Sequence, residues 1–163
     1  MKNLNTSLIL SFFLSLLSLS GFCQEKEDSF EGDAIPFAVV DEAPAYPGCE
    51  NLKGDQLKDC TVENITNHVN TNFNTGLGKK LNIEGRTRII VQFKIDENGE
   101  VHKVRSRSLA DDSKKREALQ NEANRVIKNL PKMKPAQMEG KNVAIMYSLP
   151  IEFAVPEKET KKG

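Results

Sequence analysis

Hydrophobic residues repeat with two different periods along this chain, and the change of period divides it into elements. Thr87, Ile89, Val91, Phe93 and Ile95 fall on alternate positions, with Arg86, Arg88, Gln92 and Lys94 between them. That alternation predicts a half-buried strand in which only Ile90 is off pattern. Asp96-Glu97-Asn98-Gly99 follows, and Asn-Gly after an alternating run predicts a hairpin. The returning strand is Glu100–Ser108, where Val101 and Val104 are out of phase by one residue, which points to a bulge or an irregular edge. A last alternating run holds Val143, Ile145, Tyr147, Leu149, Ile151 and Phe153. Pro150 lies within it and cannot donate to a ladder, so this strand is expected at a sheet edge, or to leave the sheet there.

Two stretches carry the helical period instead. Leu57, Cys60, Ile65, Val69 and Phe73 step mostly by three or four, which predicts an amphipathic helix ending near Gly76 and Gly78. Leu119, Ala123, Val126, Ile127 and Leu130 make a second stripe; Asp111, Asp112 and Ser113 supply N-cap candidates and Pro131 the stop. The order α-β-β-α-β predicts an α+β, two-layer sandwich: a small three-stranded antiparallel sheet with two helices on one face. Pro44-Ala45-Tyr46-Pro47-Gly48 reads as a turn or extended segment. The folded domain is therefore expected over residues 44–155. Before it, Gln24–Ala43 is acidic and without period, and reads as a flexible leader; after it, Pro156–Gly163 reads as a charged, disordered tail.

The first 23 residues carry one charged side chain, Lys2, and Ser7–Phe22 is an uncharged run rich in Leu, Phe and Ser. This is the form of an export signal cut after Cys23. Two other readings stay open. One is an uncleaved inner-membrane anchor, for which a run of about 16 residues is short against the roughly 20 of a span. The other is a lipoprotein acylated at Cys23, which Phe22 disfavours. Each places the body of the chain outside the cytoplasm, in the periplasm or secreted, and a membrane partner enters only if the segment is retained. Past Cys23 only Cys49 and Cys60 remain, separated by ten residues, which reads as one disulfide in an oxidising compartment. Zinc is the poorer alternative, because His68 is the single further ligand of the right kind nearby.

Of 163 residues, 38% are apolar and 28% charged, enough for one core. Lys and Arg number 23 against 23 acids, and removing the first 23 residues leaves a net charge of −1. That balance gives no field for nucleic acid. Catalytic chemistry is thin. His68 and His102 lie on different elements, and Ser106 and Ser108 have no glycine elbow around them. Gly76-Leu77-Gly78-Lys79-Lys80 lacks the remainder of a phosphate loop. Asp96–Glu100 has a faint likeness to a calcium loop whose later ligands are missing, and a hairpin turn explains it better. No catalytic residue, metal site or cofactor is expected.

What remains is a surface. A three-stranded sheet has two edges, each offering unpaired backbone groups. From Asn142 to Phe153 the last strand has no Lys or Arg, and Glu152 is its only charge. Such an edge suits strand addition by an extended peptide, unless a loop, the leader or a second subunit covers it.

The order of elements and several motifs resemble the C-terminal domain of TonB, the periplasmic energy transducer of Gram-negative bacteria. The matching pieces are Tyr46-Pro47, Ile83-Glu84-Gly85, and the strand Arg86–Ile95 with its Asp96–Gly99 turn and Val101. Leu130-Pro131-Lys132-Met133-Lys134-Pro135, Gly140-Lys141 and Leu149-Pro150-Ile151-Glu152-Phe153 complete the set. Between Tyr46-Pro47 and Gly85 this chain is longer than the family's best-known members. The resemblance implies no enzymatic activity and a TonB-dependent outer-membrane transporter as partner, whose short N-terminal box peptide pairs with the last strand. It implies partner binding through Asn142, Val143, Ala144, Ile145, Met146, Tyr147 and Ser148, with Tyr46 and Pro47 near the docking surface. The competing reading is an exported structural or assembly module that self-pairs as a homodimer through the same strand, with no role in transport.

Overall fold

The computed structural model describes residues 34–155. The expected export signal, the expected leader as far as residue 33 and the expected charged tail lie outside them. Among the described residues no helix is long and apolar enough to cross a membrane.

The alternating run of residue 85 onward forms β2 (Gly85–Ile95), an eleven-residue strand, and the chain returns in β3 (Val101–Ser108). Asp96 builds the turn between them: its carboxylate accepts the N–H groups of Asn98 at 2.9 Å and Glu100 at 2.8 Å, and Gly99 supplies a φ of +83°. The phase slip between Val101 and Val104 is a register shift opposite Gln92–Lys94, with Lys103 at a φ of +49°. One extra residue there turns both valines toward the helices.

The last strand, β6 (Ile145–Val155), runs antiparallel to β2 over its whole length, from Gly85↔Val155 to Ile95↔Ile145. A strand not foreseen, β1 (Ile35–Pro36), pairs parallel to the start of β6. The sheet is thus four-stranded and mixed, in the order β1-β6-β2-β3. The predicted final strand also splits. Glu139 and Gly140, at φ +51° and +74°, make a tight turn between β4 (Ala136–Met138) and β5 (Lys141–Val143). Asn142 and Val143 therefore belong to a separate two-stranded ribbon, and Ala144 is the switch into β6.

Odd-numbered side chains of β2 and β6 form the apolar face of the sheet, and two helices cover it. α1 (Gly54–Asn72) buries Leu57, Thr61, Ile65 and Val69, and α3 (Ser113–Lys128) buries Leu119, Ala123, Val126 and Ile127. A one-turn helix, α2 (Leu77–Lys80), links α1 to β2. Asp112 caps α3 as expected, accepting the N–H groups of Lys114 and Lys115; such a cap is worth about 1 kcal/mol. Phe73, just past α1, meets Phe153 at 5.6 Å between ring centres, so the helix layer reaches the far end of β6. The α+β class with helices on one face of an antiparallel core therefore holds.

Residues 40–45, expected to be leader and turn, are part of the folded body. Val40, Ala43 and Ala45 are buried, and Glu42 and Ala45 bridge to Gln137 and Lys134. Thr61 ties this segment to α1: its hydroxyl donates to the Pro44 carbonyl at 2.8 Å and accepts the Tyr46 N–H at 3.3 Å. Cys49 and Cys60 are joined as a disulfide with Cα atoms 6.0 Å apart, beside a second small cluster containing Ala43, Ala45 and Leu57.

Candidate functional site

The two edges of the sheet are finished differently. On β3, the N–H and C=O of Ser106 and Ser108 point away from β2, since that of Leu109 points toward it, donating to the Arg88 carbonyl. α3 reaches over this edge: the Gln120 amide donates to the Ser106 carbonyl at 2.6 Å, and the Ser106 hydroxyl donates to the Gln120 carbonyl at 3.2 Å. Lys103, Arg105 and Arg107 add charge to the same strand. Capping and like charge are the usual ways to blunt an edge.

The outer flank of β6 has neither. Ala144 accepts the Ile35 N–H at 2.9 Å, and with the register Ile35↔Ile145, Pro36↔Met146 this sets which residues face outward. By strand alternation they are Met146, Ser148, Pro150, Glu152 and Ala154. β1 covers Ile145 and Met146 alone. From Tyr147 to Ala154 no strand pairs with this flank among the described residues. The side chains on this stretch are uncharged apart from Glu152, whose carboxylate lies 2.7 Å from Arg88. That hydrogen bond and charge hold the Glu152 carboxyl below its ordinary pKa.

Pro150 fits this geometry without cost to the fold. It pairs with Ile90 inside an unbroken run of β2–β6 partners. Its missing N–H falls on the outward side, where β2 needs no donor.

Tyr147 anchors the covered end of the flank. Its ring meets Phe37 edge-on at 4.8 Å and 77°, and Phe93 at 5.3 Å. Burial pushes its hydroxyl above the ordinary tyrosine pKa.

The sequence-derived positions fall into separate groups. Ile145 and Met146 lie between β2 and β1, Tyr147 and Ser148 have a partner strand on one side, and Ala144 is an acceptor for β1. Asn142 is held in the β4–β5 ribbon, accepting from Gln137 at 3.1 Å and donating to the Glu97 carbonyl at 3.3 Å. Tyr46 is tied to α1 through Thr61, and Pro47 is exposed in the turn before Cys49. Ile35, Pro36 and Phe37 escaped the sequence reading. Their one signal is the uncharged apolar run Ala34–Val40 between Asp33 and Asp41.

Elsewhere, ligand atoms of Asp96, Glu100 and His102 come within 4.8 Å of one another on the exposed hairpin. The Asp96 carboxylate is already engaged by the turn N–H groups, and Glu100 by Lys132 at 3.3 Å.

The matched stretch of sequence begins in α2 and ends with β6: residues 78–155 fit the family model of the Gram-negative bacterial TonB protein C-terminal. These residues form a TonB C-terminal domain. The family is a non-enzymatic transducer and binding domain. A search of curated proteins gives no match. The β2–β3 hairpin, α3, the β4–β5 ribbon and β6 all fall inside the TonB C-terminal stretch. α1, the disulfide and β1 precede it.

Proposed function

We propose that this domain acts in the periplasm as a TonB-like component of energy-coupled transport. It binds an extended N-terminal segment of a TonB-dependent outer-membrane transporter by strand addition along β6. The observation that carries this reading is the flank from Tyr147 to Ala154: unpaired among the described residues, and uncharged but for Glu152, which is ion-paired with Arg88. The family supports the class of partner. The capped β3 edge directs a guest to β6.

A guest strand gains about 1 kcal/mol net per main-chain hydrogen bond. A few such bonds give weak binding, so alternate apolar side chains of the guest must add contact area, as in other strand-addition complexes.

The test is titration of the protein with synthetic peptides covering the N-terminal segments of transporters from the same cell, followed by calorimetry. Ser148→Pro removes one outward N–H from the open stretch and touches no β2 bond. It is expected to weaken saturable peptide binding at least tenfold while the thermal midpoint holds. Equal affinity of both proteins would rule out this edge. Concentration-dependent dimerisation with no peptide bound would favour the self-pairing module instead.

A further inference from the structure

The flank that the proposed function offers to a guest is not wholly vacant. Ile35 donates its N–H to Ala144 at 2.9 Å and aligns with Ile145, and Pro36 aligns with Met146. Phe37 then turns its ring onto Tyr147. We infer that Ile35–Phe37 is a resident placeholder strand, which a partner must displace to pair along the start of β6. The inference rests on the reading of β6 as the partner edge.

Three observations distinguish a placeholder from an integral strand. It is two residues long, and by strand alternation Ile35 alone of the two turns its backbone groups toward β6. None of its side chains is fully buried: Ile35 and Phe37 are half-buried, Pro36 and Ala38 exposed, and Val39 is 56% exposed. Immediately afterwards the attachment becomes firm, with Val40 at 3% exposure and Glu42 bridged to Gln137 through bonds of 3.1 and 2.9 Å. A lightly held segment is thus tethered by a firmly held one, at high effective concentration over its own docking place. A short tether of this kind re-pairs quickly and excludes weak competitors.

The contacts to be replaced define the chemistry of the guest. It is an extended peptide running parallel to β6, with an N–H for the Ala144 carbonyl. It also carries a large apolar or aromatic side chain where Phe37 lies on Tyr147. Guest affinity then reports a competition, and loosening the placeholder raises it.

The experiment uses the protein with two separate substitutions, Ile35→Pro, which deletes the N–H to Ala144, and Phe37→Ala, which deletes the ring contact. Two probes are titrated: a synthetic peptide of this chain's own residues 33–41, and the transporter-derived peptide. Thermal midpoints check that each variant is folded. Both variants are expected to bind both peptides at least tenfold more tightly than the unaltered protein does. If neither variant gains affinity for the 33–41 peptide, the placeholder is overturned. If the transporter peptide binds all three proteins equally, the placeholder is again overturned, and the transporter reading stands. If the 33–41 peptide gains affinity and the transporter peptide binds none of the three, the placeholder stands and the transporter reading falls.

Discussion

Met133 donates its backbone N–H to the Gly99 carbonyl at 2.9 Å, and a Cβ on Gly99 would stand 1.7 Å from the Met133 carbonyl oxygen. The hairpin and the Leu130–Pro135 segment therefore meet backbone to backbone, and they can do so only over a glycine. Gly99 also needs its φ of +83°, which L side chains rarely adopt. Gly99→Ala combines both penalties and is expected to cost about 3 kcal/mol or more. Urea denaturation of the variant beside the unaltered protein checks it.

Thr61 is a buried polar residue in the apolar stripe of α1, and its hydroxyl serves both Pro44 and Tyr46. Thr61→Val keeps the shape and leaves the Pro44 carbonyl without that donor. A loss of about 1–3 kcal/mol is expected by the same denaturation assay.

Asp96 gives the hairpin a pH dependence. Burial pushes its carboxyl up, but the N–H groups of Glu100 and Asn98, with His102 3.2 Å away, outweigh burial and set the pKa below the ordinary value. A depressed pKa stabilises the fold above the unfolded carboxylate pKa of about 3.9, and the contribution is lost as pH falls through the folded value. Asp96→Ala should therefore lower the thermal midpoint at pH 7. The gap between the two proteins should close as the pH is taken below about 4. A gap that stays constant down to pH 2 would contradict this assignment.

Pro150 interrupts the donors of the open flank. Pro150→Thr restores an outward N–H and a residue of high strand propensity without altering a β2 bond. Sedimentation velocity should show a larger share of dimers or higher species than in the unaltered protein. The thermal midpoint should change little.

The Cys49–Cys60 bond closes a short loop, for which the chain-entropy model gives about 2–3 kcal/mol. Double substitution by Ser is expected to lower stability by that amount. Because the bond lies outside residues 78–155, peptide binding along β6 should persist in the variant.

Much of this architecture can be read from local pattern. The alternation at Thr87–Ile95, the Asn98-Gly99 turn, the slipped phase of Val101 and Val104 and the cap at Asp112 are each decided by residues close in sequence. The parts that escaped depend on distant partners. Ile35 and Pro36 are too few to show a period, and they become a strand only because Ala144–Met146 lies beside them. The break at Ala144 was hidden because Val143 keeps phase with Ile145, although the positive-φ pair Glu139-Gly140 is the local cause of the extra ribbon. Thr61 reads as polar until Pro44 is placed above it. The last strand was legible as an uncharged edge. That its own N-terminal neighbour lies along the first two residues was not, since parallel pairing over more than a hundred residues leaves no local mark.

The disulfide also decides how tension would pass through the molecule. A pull entering from the N-terminal side is met first by the bridges of Glu42 and Ala45; once these yield it reaches Cys49 and crosses the sulfur bridge directly to Cys60 in α1. The ten residues between them carry no load and cannot be drawn out until that bond is reduced. Traction on the chain is thus delivered to a helix packed on the sheet, with no slack spent on the intervening loop.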